Sequence, residues 1–208
     1  EDVYQRILNS VIRLNVALRI LRTISHPPFP TKACMIFIDG GYLREYLKRS
    51  WGNDKFTAEK LEQHLISYLR GPPLLVTHAE LVRAYYYDAI VSETQTERDE
   101  QREFFRSLRA TDFLETRLGR LVRSEKGNRQ KGVDILIAID MLSKAYENHY
   151  DVSVLFAGDA DFVELVKAVK DAGKRVFGAY IKGHISEDLK ESFDVRIPVE
   201  EEQLRRLL

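Results

Sequence analysis

From Lys32 onward, short apolar runs alternate with longer stretches in which apolar residues recur every three or four positions. The runs Cys34–Ile38, Val152–Ala157 and Arg175–Ile181 have the length and apolarity of buried strands, and Glu80–Tyr87 reads as a further strand. Tyr42–Trp51, Thr57–Leu69, Thr94–Leu108, Val133–Tyr146 and Phe162–Ala172 carry helical periodicity, with Thr57 placed as an N-cap and Gly173 as a stop. Leu114–Val122 alternates like a strand or hairpin, and Gly127-Asn128-Arg129-Gln130 reads as a flexible loop. Leu189–Phe193 and Val195–Pro198 read as a short helix and an edge strand, and Glu200-Glu201-Glu202 as a helix start. Strand followed by helix, repeated in this way, predicts a mainly parallel sheet with helices on both faces.

Residues 1–31 follow a different rhythm. Tyr4, Ile7, Val11, Leu14, Leu18 and Leu21 alternate at spacings of three and four, with Arg6, Arg13, Arg19 and Arg22 between them. His26-Pro27-Pro28-Phe29-Pro30 then ends any helix, because proline lacks an amide hydrogen and restrains its predecessor. The expected division is an amphipathic helical arm and Pro-rich linker over 1–31, then one domain over 32–208. Three uses of the arm stay open: packing on its own domain, a homo-oligomer through the helix, or a membrane surface.

Composition narrows the class. The 208 residues carry 32 Lys plus Arg against 32 Asp plus Glu, which excludes a uniformly basic nucleic-acid scavenger. With 44% hydrophobic residues the chain can bury a core. No stretch reaches the ~20 apolar residues of a membrane span. The single cysteine, Cys34, cannot form an intramolecular disulfide, and the expected location is cytoplasmic.

In a parallel sheet, ligands bind beyond the carboxyl ends of the strands. Acids stand there repeatedly. Asp39 follows Met35-Ile36-Phe37-Ile38, Asp88 follows Tyr85-Tyr86-Tyr87, and Asp159 and Asp161 follow Val154-Leu155-Phe156-Ala157-Gly158. Asp134 opens the helix after Lys131-Gly132-Val133. Clustered carboxylates repel one another unless cations neutralise them, and hard divalent cations with oxygen ligands are the natural answer. Such a site can activate water and steady a leaving oxygen in phosphodiester cleavage. Each acid also has a plain structural reading. Asp39 before two glycines could shape a turn, while Asp134 and Asp161 could cap helices. Asp140, about 240° around the helix from Asp134, does not point at the same site.

Three ordered stretches carry a resemblance. They are Phe37-Ile38-Asp39-Gly40-Gly41-Tyr42-Leu43, Lys131-Gly132-Val133-Asp134-Ile135-Leu136-Ile137-Ala138-Ile139-Asp140-Met141, and Ala157-Gly158-Asp159-Ala160-Asp161-Phe162. Together they resemble the NYN domain (LabA-like, DUF88) of the PIN-like nuclease superfamily, over roughly Ala33 to Pro198. The resemblance implies a three-layer α/β/α sandwich and a metal-dependent ribonuclease. By the same resemblance Asp39, Asp134 and Asp159 would be catalytic metal ligands for Mg²⁺ or Mn²⁺, with Asp161 a fourth. These residues would position an attacking water and leave a 5′-phosphate. Many members carry Asn where this chain has Tyr42, so an auxiliary hydrogen bond from that position is in doubt.

The neutral total hides segregation. Arg117, Arg120, Arg123, Lys126, Arg129 and Lys131 face only Glu125 in their stretch, an excess of five positive charges leading into Asp134. A phosphate backbone needs such a track, so single-stranded or structured RNA is the expected partner. Lys131, Arg129 and Arg123 are candidate phosphate contacts, and Tyr42, Tyr86 and Trp51 candidate stacking platforms. Neither a phosphate-loop Gly-Lys-Ser/Thr nor a dinucleotide fingerprint occurs. The competing reading is a PIN-like module that docks RNA or protein without efficient cleavage.

Overall fold

A computed structural model describes residues 31–71, 78–89, 95–124 and 127–208, leaving the side chains of 97 and 120–131 aside. The expected helical arm and most of its linker lie outside the described residues. Among the described residues no helix is long and apolar enough to cross a membrane.

Seven strands form one sheet in the order β4-β3-β2-β1-β5-β6-β7. They are β1 (Lys32–Asp39), β2 (Ala79–Ala89), β3 (Leu114–Ser124), β4 (Gly127–Lys131), β5 (Val152–Phe156), β6 (Arg175–Ile181) and β7 (Val195–Val199). All neighbours pair in parallel except β3 and β4, which run antiparallel. The stretch expected to be a loop at Gly127–Gln130 is therefore the edge strand β4 of a hairpin. Its polar composition hid it, because an edge strand needs no apolar face.

The helices are α1 (Gly40–Trp51), α2 (Ala58–Lys60, a π-helical Leu61–Ile66 and Ser67–Leu69), α3 (Gln95–Arg109), α4 (Val133–Tyr146), α5 (Val163–Asp171), α6 (Glu187–Ser192) and α7 (Glu201–Arg205). Thr57 caps α2, its side chain accepting from Lys60 N at 3.2 Å as the sequence predicts. The strands point alternate residues to two separate cores. Ile36, Ile38, Tyr86, Val154 and Phe156 pack against α1, α2 and α3, while Phe37, Tyr87, Leu155 and Ala157 pack against α4 and α5. The result is an α/β/α sandwich.

The strand order reverses between β1 and β5. The helix after β1 lies on one face and the helix after β5 on the other, so a crevice opens at the carboxyl ends of these two strands. Ile38 is paired with Phe156, which puts Asp39 beside Ala157 and close to the Asp159 turn.

Close approach, rather than turn geometry, explains two glycines. Gly40 is expected to sit in a glycine turn, but it is already the first residue of α1, and a Cβ there would run into the Tyr86 ring. At Gly178 in β6 a Cβ would fall inside the Phe193 ring, which covers that strand. Gly178→Ala is expected to cost about 1–3 kcal/mol by overpacking, read as a lower urea midpoint at an unchanged slope.

Candidate active site

Asp39 is the last residue of β1 and the N-cap of α1, its carboxylate accepting from Tyr42 N at 3.0 Å. The residue is only 9% exposed. Burial pushes its carboxyl up to about 7; the bond from Tyr42 N opposes this, and the charges of Asp134 and Asp88 add to it.

Asp134 stands in the first turn of α4, exposed, where the cap is Gly132 in the left-handed conformation (φ 91°). Asp134 therefore does not cap its helix. Burial raises its carboxyl above the ordinary carboxylate range, and the charges of Asp159 and Asp161 raise it further. Asp159 closes the turn after β5 and accepts from Asp161 N at 3.1 Å, so it caps the 3₁₀ turn Ala160–Phe162 and Asp161 does not. Both acids are exposed.

Two neighbouring acids are already neutralised. Asp88, with a fully buried side chain, is gripped by Arg44, with Nε 2.7 Å from Oδ2 and a guanidinium N–H donating to Oδ1 at 2.7 Å. It also accepts from the Tyr86 hydroxyl (3.2 Å) and Ala89 N (2.7 Å). Asp140 accepts from Lys144 Nζ (2.9 Å), the Tyr87 hydroxyl (2.9 Å) and Arg117 Nε (3.2 Å). Burial works to raise the Asp140 carboxyl, but these donors outweigh it and hold it below the usual range. Among the described residues no Lys, Arg or His side chain is paired with Asp39, Asp134, Asp159 or Asp161. Among the described residues no three or more His, Cys, Asp or Glu side chains stand together so as to hold a metal ion by themselves, so any ion here would need water or substrate oxygens as well.

The remaining candidates fall into place differently. Tyr42 donates its hydroxyl to His184 O at 2.6 Å and accepts from Ile181 N at 2.9 Å, while its ring packs on Phe156. It holds the β6–α6 loop against α1. Tyr42→Phe is expected to cost about 1–3 kcal/mol, because the buried amide of Ile181 loses its partner. Thermal unfolding monitored by circular dichroism measures it. Tyr86 is completely buried and bonded to Asp88, so it is no stacking platform. Trp51 is partly buried, edge-on to Tyr46. Lys131, Arg129 and Arg123 belong to the β3–β4 hairpin, in which Arg120 pairs with Lys131 and Val122 with Arg129 along the backbone; their side chains lie outside the described set. β4 delivers the chain through Gly132 directly into α4 and Asp134. Arg117, counted with the basic run, is committed to Asp140 and lies over the Tyr85 ring.

Arg44 was not picked out from the sequence. The signal for it was present: a strand-end acid buried as deeply as Asp88 needs a cation, and Arg44 lies five positions after Asp39 on the adjoining helix. Tyr46 and His184, which flank Asp159 in a surface cleft, follow no local pattern.

The fold is a doubly wound α/β sheet with carboxylates near its switch point. Residues 33–200 match the NYN domain, and the chain belongs to that family. NYN domains belong to the PIN-like nuclease superfamily, whose members generally depend on divalent metals. Among solved structures, the chain is similar to a Vibrio parahaemolyticus protein of unknown function. That likeness has TM-score 0.61 and 22% identity, covering 82% of this chain and 94% of that one, and shows the shared fold. A weaker likeness, to MurG of Acinetobacter baumannii, has TM-score 0.35 and 13% identity, covers 80% of this chain and 40% of that one, and carries no argument. No curated protein matches the chain.

Proposed function

We propose that the protein is a metal-dependent ribonuclease that hydrolyses RNA phosphodiester bonds at the Asp39, Asp134, Asp159 and Asp161 rim. The supporting observation is the contrast between the acids: Asp88 and Asp140 are supplied with cations by the fold, whereas the other four carry no such partner among the described residues. Asp39 is buried and Asp134 feels the charges of Asp159 and Asp161, and a cation at the rim would relieve both. The donor set fits Mg²⁺ or Mn²⁺, being all oxygen and anionic, and Mg²⁺ typically takes only one or two carboxylates with waters and substrate phosphate for the rest. Asp39, Asp134 and Asp159 would hold the ion, with Asp161 beside them. When bound it would supply Lewis-acid stabilisation and a more acidic water. Asp39 is held by its cap bond from Tyr42 N, and Asp159 by the bond from Asp161 N, so one oxygen of each carboxylate is oriented by backbone. The basic hairpin would carry phosphates toward the rim, which makes binding weaken with salt.

Cleavage of an end-labelled, unstructured RNA by the full chain tests this reading. Mn²⁺ or Mg²⁺ is expected to support cleavage to 5′-phosphate products, chelator to abolish it, and Asp159→Asn to slow it at least ~100-fold, about 3 kcal/mol at 1.36 kcal/mol per tenfold. Metal-independent cleavage, or full activity in Asp159→Asn, would overturn the mechanism. Salt-sensitive RNA binding without cleavage would replace the enzyme by a binding module.

A further inference from the structure

Next to Asp159 the surface opens into a cleft of about 460 Å³ between α1 and the loop that follows β6. Its walls are aromatic. The Tyr46 and His184 rings meet edge to face with centroids 4.8 Å apart, and Tyr42 lies alongside. The turn from Gly158 to Ala160 lines the cleft with them. The loop is tied to this turn by Ser186 N, which donates to Gly158 O at 3.0 Å, and it turns back on the end of β6 through His184 N to Ile181 O at 2.9 Å. Tyr42 ties it to α1 through its bond to His184 O. A Cβ on Gly158 would lie 2.5 Å from the Tyr42 ring and 2.7 Å from His184 O, so the walls are close-packed behind the cleft. The Gly158 turn thus both carries Asp159 and anchors the loop that forms one wall of the cleft.

The chemistry of the cleft selects its occupant. A volume of this size suits a small ligand or one unit of a polymer. Arg49 at the rim is matched by the carboxylates of Glu45 and Asp159, which line the cleft with the aromatic faces and backbone polar groups, so the lining carries no net positive charge to draw a phosphate. Such a lining favours a flat, uncharged, hydrogen-bonding ring over a phosphate. A larger hollow of about 910 Å³ between α1 and α3 is a poorer host for a polyanion, since Glu59, Glu100 and Glu103 line it and Lys55 is paired with Glu100.

We infer that the cleft seats one unpaired nucleobase of the RNA strand, next to the bond cleaved at the acidic rim, with His184 and Tyr46 as its stacking wall. This rests on the ribonuclease reading. Stacking on an aromatic wall is tolerant of base identity but requires a base out of its helix, so the cleft selects single-stranded over duplex RNA. Because the wall and Asp159 share the Gly158 turn, a seated base sets where the neighbouring phosphate meets the carboxylates.

A set of single-stranded 12-mers, each with one abasic nucleotide at a different position, tests the inference with the full chain and Mn²⁺. In the wild type, one abasic position is expected to raise KM about 5- to 100-fold, as loss of a stacked base does. His184→Ala, which removes an exposed ring and leaves the backbone bonds intact, is expected to raise KM similarly on intact RNA and to lose sensitivity to that position. His184→Phe is expected to restore both. An unchanged KM in His184→Ala, or no abasic position that matters in the wild type, would overturn the cleft while leaving the nuclease standing. A wild type that neither cuts nor binds the intact 12-mer would overturn both.

Discussion

Asp39→Asn is expected to silence RNA cleavage and, at the same time, to make the protein harder to unfold. The substitution keeps the size of the side chain and an oxygen able to cap α1, but removes a charge that the fold buries. With the carboxyl pushed from 3.8 up to about 7, the native state holds a proton that the unfolded chain releases between those values. Stability from this group is therefore full below about pH 4, falls as pH rises toward 7, and stays low above. A shift of about three units sets an upper bound of ~4 kcal/mol at 1.36 kcal/mol per unit. A gain of ~2 kcal/mol in Asp39→Asn at pH 8, some 4–8 °C in Tm for a chain of this size, is the expected result. The gain should vanish only below about pH 3, where the wild-type carboxyl is protonated in both states. Millimolar Mg²⁺ or Mn²⁺ should raise the Tm of the wild type and not that of the variant, since only the wild type keeps the full charge that binds the ion. Calorimetry across pH, with and without metal, measures all three effects. A variant less stable than the wild type at pH 8 would show that Asp39 is held for structure.

The second large effect concerns the acid that the fold neutralises. Arg44→Ala leaves the Asp88 carboxylate buried with only the Tyr86 hydroxyl and one backbone amide. Removing one partner of a buried pair costs about 3–5 kcal/mol, most of it the stranded charge. Desolvation already holds the Asp88 carboxyl above its ordinary value even with Arg44 beside it. Without Arg44 the group would take up a proton more readily, so the loss should be smaller at pH 5 than at pH 8. Adding Asp88→Asn to Arg44→Ala should recover part of the stability by removing the unpaired charge. Urea unfolding of the single and double variants provides the cycle. Additive losses would show that the pair is not coupled.

These two acids also show how far the linear chain could be read. Apolar runs ending in Asp marked both β1 and β2, and the rule that ligands gather at carboxyl strand ends drew attention to both, although Asp88 was the weakest of the acids and only Asp39 entered the expected metal site. What separates them is Arg44, which α1 carries across to β2 and so reserves Asp88 for structure. Asp140 is removed from the rim in the same way, by Lys144 one turn along α4 and by Arg117 from β3. Tyr42 and Tyr86 illustrate the converse. Both were candidate platforms as aromatic residues near the site, and both proved to spend their hydroxyls on the fold. Gly127–Gln130 read as a loop because a polar edge strand has no apolar alternation to announce it.

The alternation of apolar runs and helical stretches determined the sheet, its mainly parallel pairing and the acids at its strand ends, because burial of strand faces and helix stripes is written in local periodicity. Motif order from Asp39 through Asp134 to Asp159 likewise determined the family. Only the tertiary structure decided which acids the fold pairs with cations: Asp88 and Asp140. Neutralisation depends on cations that arrive from other elements, and the cleft beside Asp159 depends on two segments more than a hundred residues apart, α1 and the loop after β6. Local spacing carries no record of such meetings; the strand order, which reverses between β1 and β5, creates them.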